Sequence, residues 1–412
     1  MKRRRFLQHT AQKTAWLGAA SLVTTVGAHS WLWQSKAQAA IMPRLIVVML
    51  RGAADGLNIV VPYQETEYYE SRPSIAIAKP GENDGVLDLD GRFGLHPALA
   101  PLMPEWEAGR LAFVHASGSP TETRSHFQAQ DYLENGTPGN AATHTGWLNR
   151  LLAVLPDGSP TQAVNMGTGG TLPLILSGAE SVANLGVNGA GNPAFSGDQG
   201  ALQTAFDQLY AGDDKVARIY QLGRQSRDTL MQELAEEGME ASRGAPTPER
   251  FANTTRSLAQ LMKGNAGTQI AFLELGGWDT HVNERGVLAR QLDPLGNGLA
   301  TLATELGDLY QDTTIVVMSE FGRTIAENGN GGTDHGYGNA MWILGGSVRG
   351  RQIYGEWPGL SEANQHESRD LAITTDFRDV MASLLGQQFG LDAGAIAQVF
   401  PNYRPQNRIA LL

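Results

Sequence analysis

The chain has 412 residues, of which 42% are hydrophobic and 7% are aromatic. It can therefore bury a large core, which excludes a disordered, collagen-like or small disulfide-stapled protein. It contains no cysteine, so neither a disulfide framework nor a thiol nucleophile is available, and its net charge of −11 argues against a nucleic-acid partner.

The N-terminal residues have the features of an export signal. Arg3 and Arg4, followed by Phe6 and Leu7, resemble a twin-arginine motif, and a mildly apolar stretch leads to the A-x-A sequence Ala37–Ala39. We expect residues 1–39 to be a twin-arginine signal peptide. This implies the twin-arginine export machinery as a partner and a periplasmic or extracellular location. The alternatives are a basic amphipathic helix or a membrane anchor, although the stretch is too polar for a good spanning helix.

The remainder of the chain is strongly acidic, with 25 basic against 42 acidic residues. We therefore expect neither nucleic acid nor an anionic membrane as a partner, and no stable membrane span in the mature protein.

Short apolar runs predict five buried strands, at Arg44–Leu50, Leu111–His115, Gln269–Leu275, Thr313–Met318 and Ala340–Leu344. Leucines from Leu288 to Leu309 recur at spacings of three and four, as on the apolar face of a helix, and residues 201–237 and 248–263 also have helical patterns. Strands that alternate with helices predict an α/β fold, with a mostly parallel central sheet covered by helices on both faces. We expect residues 40–412 to form one domain with a Gly-rich and helical insertion at about 160–265.

Acidic residues and histidines lie beside the ends of four of these strands. They are Asp55 after the first, Asp279 and His281 after the third, Glu320 after the fourth, and Asp334 and His335 before the fifth. Because sites of open α/β sheets form at the carboxyl ends of strands, we expect these side chains to converge. Carboxylates and imidazoles together suit a divalent metal such as Zn²⁺, Mn²⁺, Mg²⁺ or Ca²⁺. Taken singly, each residue also has a structural explanation, such as a helix cap, a turn or an ion pair with Arg323.

A serine at a predicted helix start is the candidate nucleophile. Ser125 is placed to be the N-cap of a helix that begins at His126, with Gln128 as the capping-box partner. A nucleophile at the same position would gain from the helix dipole, so the sequence leaves both roles open. His126 is the rival ligand or acid–base residue, and Arg124 and Arg323 are candidates to hold anionic oxygens.

Five motifs in combination resemble the DUF1501 family: Gly52–Asn58, Arg124–Phe127, Gly277–His281, Ser319–Thr324 and Asp334–Gly336. This family is similar to a distant branch of the alkaline phosphatase–sulfatase superfamily. The resemblance implies an alkaline phosphatase-like fold, one or two metal ions at strand ends and a hydroxyl nucleophile. It assigns Ser125 as the nucleophile and, as metal ligands, Asp55, Asp279, His281, Glu320 and His335.

The sequence also departs from the superfamily's pattern. Phe321 stands where a histidine is expected, and neither a cysteine nor a Ser-x-Pro/Ala-x-Arg sequence is present for a formylglycine-type sulfatase. The resemblance implies an exported metal-dependent hydrolase or transferase that acts on phosphate or sulfate esters, with an anionic small molecule or glycan ester as substrate. The lost histidine favours the alternative of a secreted, catalytically inactive metal-binding scaffold. A redox enzyme is a third class, but the sequence has no Cys ligands, c-type haem motif or G-x-G-x-x-G after the first strand.

Overall fold

The computed structural model describes residues 42–156, 161–167, 171–186, 238–265 and 267–412. The expected signal peptide at residues 1–39 and the helix expected at 201–237 lie outside these ranges. Among the helices of the described residues, none combines the length and the apolar character that crossing a membrane requires.

The strands of the described residues are β1 (Arg44–Leu50), β2 (Val60–Val61), β3 (Leu87–Asp88), β4 (Gly94–Leu95), β5 (Leu111–Gly118), β6 (Ala163–Gly167), β7 (Ala183–Gly186), β8 (Ile270–Leu275), β9 (Thr313–Ser319), β10 (Asn339–Gly345), β11 (Gln352–Tyr354), β12 (Gln365–His366), β13 (Asp370–Leu371) and β14 (Thr375–Asp376). The α-helices are α1 (Gly56–Ile59), α2 (Thr66–Ser71), α3 (Met103–Glu107), α4 (His126–Asn135), α5 (Trp147–Val154), α6 (Phe251–Gly264), α7 (Glu284–Leu306), α8 (Phe377–Phe389) and α9 (Ala393–Val399). Short 3-10 helices occur at Pro97–Leu102, Leu174–Leu176, Pro248–Arg250, Gly307–Asp312 and Glu362–Asn364.

A large central sheet organises the fold, with the strand order β11-β5-β10-β9-β1-β8-β6-β7 and with β14 also paired to β5. Strand β10 is antiparallel to its neighbours β5 and β9, whereas the other described pairings in this sheet are parallel. The expected α/β fold with a mostly parallel central sheet is thus confirmed. Because β10 is reversed, the loop that enters it lies at the same edge as the loops that leave β1, β8 and β9. This edge carries the candidate site.

Apolar layers cover both faces of the sheet, because alternate side chains of β1 point in opposite directions. Ile46 and Val48 pack in a cluster with residues of α6 and α7, whereas Leu45 and Val47 pack with residues of α5, α8 and α9. The leucines of α7 are buried from Leu288 to Leu306, as their spacing predicts. The helices therefore lie on both faces, as expected.

The stretch expected to be an insertion at about 160–265 supplies part of the sheet where it is described. Strands β6 and β7 extend the sheet beyond β8, and α6 packs over one face. Asn165 in the middle of β6 pairs with Asn184 of β7, and their side chains form a hydrogen bond of 2.8 Å. This polar pair replaces the continuous apolar run that marks the other core strands, so the sequence pattern does not reveal β6.

Candidate metal centre

Four side chains converge at the sheet edge that β10 helps to form. His126 is the first residue of α4, Asp279 and His281 follow β8, and His335 precedes β10. Nε2 of His335 lies 2.9 Å from Nε2 of His126 and 3.0 Å from Nε2 of His281. Oδ1 of Asp279 lies 3.0 Å from Nε2 of His281 and 3.3 Å from Nε2 of His335. We call these four residues the histidine cluster.

The other ring nitrogen of each histidine, Nδ1, contacts an oxygen acceptor. Nδ1 of His126 lies 2.8 Å from Oε1 of Glu320, and Nδ1 of His335 lies 2.9 Å from the carbonyl oxygen of Arg124. Nδ1 of His281 lies 3.3 Å from Oδ1 of Asp334. Ionised carboxylate and carbonyl oxygens only accept hydrogen bonds, so Nδ1 carries the hydrogen in each neutral ring. The Nε2 lone pairs are then directed into the cluster. Metal-binding histidines are oriented by outer partners in this way.

The donor set of the cluster fits a divalent cation. Oδ2 of Asp279 is buried without a hydrogen-bond partner, which is costly for a carboxylate oxygen. The ligand atoms of His126, Asp279 and His335 all lie within 4.8 Å of one another. Lone pairs this close repel one another unless a proton or a cation lies among them. Several imidazoles with one carboxylate favour Zn²⁺ or a related transition metal over Mg²⁺ or Ca²⁺.

Neighbouring charges control protonation in the cluster. Burial lowers the pKa of His126, but the neighbouring carboxylates of Asp279 and Glu320 outweigh burial and raise this pKa to about 9. Burial raises the pKa of Glu320, but hydrogen bonds from His126 and Gln130 overcome this and hold it at about 2. Burial raises the pKa of Asp279, but the surrounding histidines and Arg323 outweigh burial and hold this pKa well below the usual range. Cation binding at neutral pH therefore requires His126 to lose a proton.

Glu320, a residue that the sequence assigns to the metal, contacts the ring of His126. Its Oε1 atom also accepts hydrogen bonds from the backbone N–H of Gly52 at 2.8 Å and from Nε2 of Gln130 at 2.9 Å, while Oε2 accepts from Ser319 Oγ at 3.0 Å. These donors already occupy the carboxylate. Glu320 therefore contacts the outer nitrogen of His126, a candidate metal ligand, and its carboxylate is not directed into the histidine cluster.

A buried polar chain continues from Glu320 into the protein. Gln130 accepts a hydrogen bond of 2.7 Å from Nη1 of Arg51, whose guanidinium also binds Glu134 at 2.8 Å and Glu274 at 2.7 Å. None of these residues was predicted from the sequence, although two features of the sequence point to them. Arg51 directly follows the first apolar run, and Gln130 lies four residues after His126, on the same face of α4.

Arg323, a candidate to hold an anionic substrate, is buried and holds Asp279. Its Nη1 atom donates to Oδ1 of Asp279 at 2.7 Å, and its Nη2 atom donates to the carbonyl oxygen of Thr333 at 2.7 Å. The hydroxyl of Thr333 donates in turn to the buried carboxyl of Glu284, which was not among the residues predicted from the sequence. The Arg323 guanidinium thus fixes the position of Asp279.

Arg124 lies at the rim of the site and is also paired. Its Nη2 atom is 2.6 Å from Oε2 of Glu367 and 2.8 Å from Oδ2 of Asp370, while its carbonyl oxygen accepts from His335. The described residues contain one further group within metal-binding distance, at the surface beside this rim: Glu122, His366 and Glu367.

Ser125 is exposed beside a cavity that reaches the histidine cluster. It is the N-cap residue of α4, as predicted, but its hydroxyl makes no capping hydrogen bond. The expected capping box is not formed, because Gln128 accepts a hydrogen bond of 2.8 Å from Thr123 instead. The cavity has a volume of about 190 Å³ and is lined by Arg124, Ser125, His126, Phe127, Glu240, Ala241 and His335.

Phe321 occupies the position at which the resemblance leads us to expect a histidine. Its buried ring packs against the imidazoles of His126 and His335, with centroid separations of 4.9 and 5.2 Å. The side chain therefore supports the ring orientation of two proposed ligands and supplies no ligand itself.

Asp55 is held outside the histidine cluster. It is the N-cap of α1, where Oδ1 accepts from the backbone N–H of Leu57, and both of its carboxylate oxygens accept from Arg72. Among the described residues, no hydrogen bond of Asp55 involves a member of the cluster. The structure therefore brings together five of the six predicted metal residues, three within the cluster (Asp279, His281 and His335) and two as partners of its rings (Glu320 and Asp334).

We compared the chain with curated proteins and with solved structures. No curated protein matches the chain. Among solved structures, the chain is similar to a protein of the alkaline phosphatase superfamily from Vibrio parahaemolyticus, with 10% identity and a TM-score of 0.39 over 76% of this chain and 62% of that one. The chain thus spans less than two thirds of the Vibrio protein.

Two further solved structures have similar scores. The lipoteichoic acid synthase LtaP from Listeria monocytogenes has 11% identity and a TM-score of 0.37, over 78% of this chain and 68% of that one. The C-terminal periplasmic domain of EcEptC from Escherichia coli, in complex with Zn, has 10% identity and a TM-score of 0.38, over 90% and 92%. Residues 42–400 match the model of a family described as a protein of unknown function, DUF1501, and the chain therefore belongs to the DUF1501 family.

Proposed function

We propose that this protein is an exported metal-dependent hydrolase or transferase of phosphate or sulfate esters. The observation that supports this function best is the convergence of three imidazole Nε2 atoms and the Asp279 carboxylate beside a cavity onto which Ser125 opens. His126, Asp279, His281 and His335 would hold the cation, and Zn²⁺ suits this donor set best.

The chain itself supplies orientation, charge and a nucleophile. A cation in the cluster would act as a Lewis acid on an ester oxygen. Glu320 and Asp334 fix two of the rings, and Arg323 holds the Asp279 carboxylate in place. Ser125 stands at the N-terminus of the ten-residue helix α4, where backbone N–H groups and the helix dipole stabilise an anionic group. The serine hydroxyl is the nucleophile in this proposal.

The cavity indicates the kind of ester that would be bound. A volume of about 190 Å³ accommodates the phosphate or sulfate group together with a small part of the alcohol. An anionic small molecule fits this space, and so does a glycan ester whose remaining sugars extend outside it. The sequence of residues 1–39 supports export through the twin-arginine machinery to the periplasm or the extracellular space.

A metal-binding scaffold is the second candidate, and the number of ligands favours it. Four protein side chains suffice to fill the tetrahedral shell of a structural zinc site, whereas catalytic zinc sites usually have three protein ligands and one open position. A filled shell at His126, Asp279, His281 and His335 would bind metal without turnover.

One experiment separates the two candidates. Metal content of the purified protein is measured by mass spectrometry, and the same sample is screened against phosphate mono- and diesters and sulfate esters. Bound metal with ester turnover, both lost in Asp279→Ala, supports the enzyme. Metal without turnover on any ester supports the scaffold, and a protein without metal after incubation with Zn²⁺ contradicts both.

A further inference from the structure

A buried arginine forms an ion pair with the carboxylate that follows the first strand. Arg72, directly after α2, and Asp55 are both fully buried. The two terminal nitrogens of Arg72 donate to the two oxygens of Asp55, one to each. Nη2 also donates to the carbonyl oxygen of Thr324, and Nε to that of Ile325, both at 2.8 Å. The guanidinium is therefore held by hydrogen bonds from all three of its nitrogen atoms.

A second buried carboxyl lies in the same group. Glu284 is fully buried, and its oxygens accept hydrogen bonds from Asn58 at 2.8 Å, from Thr280 at 3.1 Å and from Thr333. The charge of Asp55 also acts on this carboxyl. Arg72 thus pairs with Asp55 and feels the charge of Glu284, and we call Asp55, Arg72 and Glu284 the arginine–carboxyl group.

We infer that the Arg72 guanidinium takes the place of a second metal ion, so that the protein binds one divalent cation per chain, in the histidine cluster. This inference rests on the metal dependence proposed above. A cation bound at Asp55 would have to displace a guanidinium that is anchored by backbone carbonyls as well as by the carboxylate. It would otherwise lie beside a buried positive charge, where repulsion is weakly screened.

The arginine–carboxyl group also supports the single centre. The carbonyl groups that Arg72 binds belong to Thr324 and Ile325, which directly follow Arg323 in the loop after β9. On the other side, Thr333 joins the carboxyl of Glu284 to the side chain of Arg323, which holds Asp279. A permanent cation at Arg72 therefore fixes the loop that positions the metal-binding carboxylate, which an exchangeable ion would do only while bound.

The number of ions in the wild-type protein tests the inference directly. Metal-depleted full-length protein is titrated with Zn²⁺ in an isothermal calorimeter, and bound zinc is counted by mass spectrometry after gel filtration. We expect one ion per chain. Two ions per chain that persist in His366→Ala, which disables the surface group, would overturn the inference, and ester turnover in that sample would leave the proposed function in place. No bound ion would contradict the proposed metal dependence itself.

Variants of Asp55 supply the second arm. Asp55→Asn should retain one ion per chain and unfold at a lower temperature, because Arg72 loses its buried partner. Asp279→Asn is the matched control and should lose the ion. If Asp55→Asn does not fold, the double variant Asp55→Asn/Arg72→Met removes both charges and gives the same count. Arg72→Met removes the same anchor of the loop and keeps the Asp55 carboxylate. Loss of the ion from Asp55→Asn together with its retention in Arg72→Met would make Asp55 a ligand and overturn the inference.

Discussion

Nδ1 of His126 donates a hydrogen bond of 2.8 Å to Oε1 of Glu320, and the same oxygen accepts from Gln130 and from the backbone of Gly52. The carboxylate therefore fixes the ring of a proposed ligand and makes it more basic. Glu320→Gln should lower the affinity for Zn²⁺ by about 10- to 100-fold, as is typical for loss of such a partner. Competition with a chromophoric chelator measures the affinity.

Glu305→Gln, a half-exposed carboxylate on α7, is the matched control and should bind Zn²⁺ like the wild type. Wild-type affinity in Glu320→Gln would contradict the orienting role. Complete loss of the ion, as expected for a missing ligand, would instead place Glu320 directly on the metal.

Removal of any member of the histidine cluster should reduce the metal content. Asp279→Ala and His335→Ala each delete one proposed ligand atom from a group whose members are about 3 Å apart. Inductively coupled plasma mass spectrometry of the purified variants checks the result. His366→Ala, in the exposed surface group, is the control and should leave the content unchanged. Full metal content in both cluster variants would show that the ion is bound elsewhere.

Ser125→Ala should abolish ester turnover and leave both metal content and stability nearly unchanged. A serine whose hydroxyl caps a helix contributes about 1 kcal/mol to stability. The Ser125 hydroxyl makes no such bond, so we expect a change within about 0.5 kcal/mol, as for an ordinary surface substitution. Urea unfolding measures this difference. Undiminished turnover would remove Ser125 from the mechanism and direct attention to His126.

Glu284→Gln should alter how stability depends on pH. Burial and the nearby charge of Asp55 raise the pKa of Glu284 to about 8, against an ordinary value of 4.5. Between these values the folded protein keeps the proton and the unfolded chain loses it. The wild type therefore loses stability as the pH rises through this window, and the loss is complete above about pH 8.

Glutamine cannot ionise, so the melting temperature of Glu284→Gln should fall less than that of the wild type between pH 5 and pH 9, a range that spans the pKa of about 8. Differential scanning fluorimetry at a series of pH values provides the curves, with Glu305→Gln as the control. Parallel curves for Glu284→Gln and the wild type would mean that Glu284 is already ionised in the folded protein.

Replacement of Arg3 and Arg4 by lysine should retain the precursor in the cytoplasm, because the paired arginines distinguish a twin-arginine signal from other basic export signals. Cell fractionation followed by immunoblotting measures the distribution. Lys13→Arg, outside the motif, is the control. Unchanged export of the double variant would indicate another secretion route.

The fold could be predicted because its core strands are long apolar runs. Residues 44–50 and 313–318 bury every side chain, so their β-branched sequences identify central strands without further information. Strand β6 could not be identified in this way, because the polar Asn165 interrupts its apolar run and is paired by Asn184 of the neighbouring strand β7. Cross-strand polar pairs are tertiary contacts, and local patterns do not reveal them.

The sequence predicted most of the side chains that converge at this edge, but only some of the contacts that each of them makes. Strand-end position identified Asp279, His281 and His335, since topology brings such residues to one edge. The same rule selected Asp55, but it could not include Arg72, whose side chain reaches Asp55 from the residue directly after α2. Which of two neighbouring carboxylates faces the inside of the cluster and which contacts the outer nitrogen of a histidine depends on side-chain packing, and sequence spacing does not determine that.

The reversed direction of β10 leads us to expect a particular order of assembly of the site during folding. Strands β9 and β10 are consecutive antiparallel neighbours, so Glu320, Arg323 and His335 come together through contacts of short sequence separation. His126 and Asp279 join them only when distant segments have docked. We therefore expect one half of the centre to form locally and the other half to form late. If the cluster binds a cation as proposed, we expect capture at the end of folding, because a partly folded chain does not yet present the complete set of side chains.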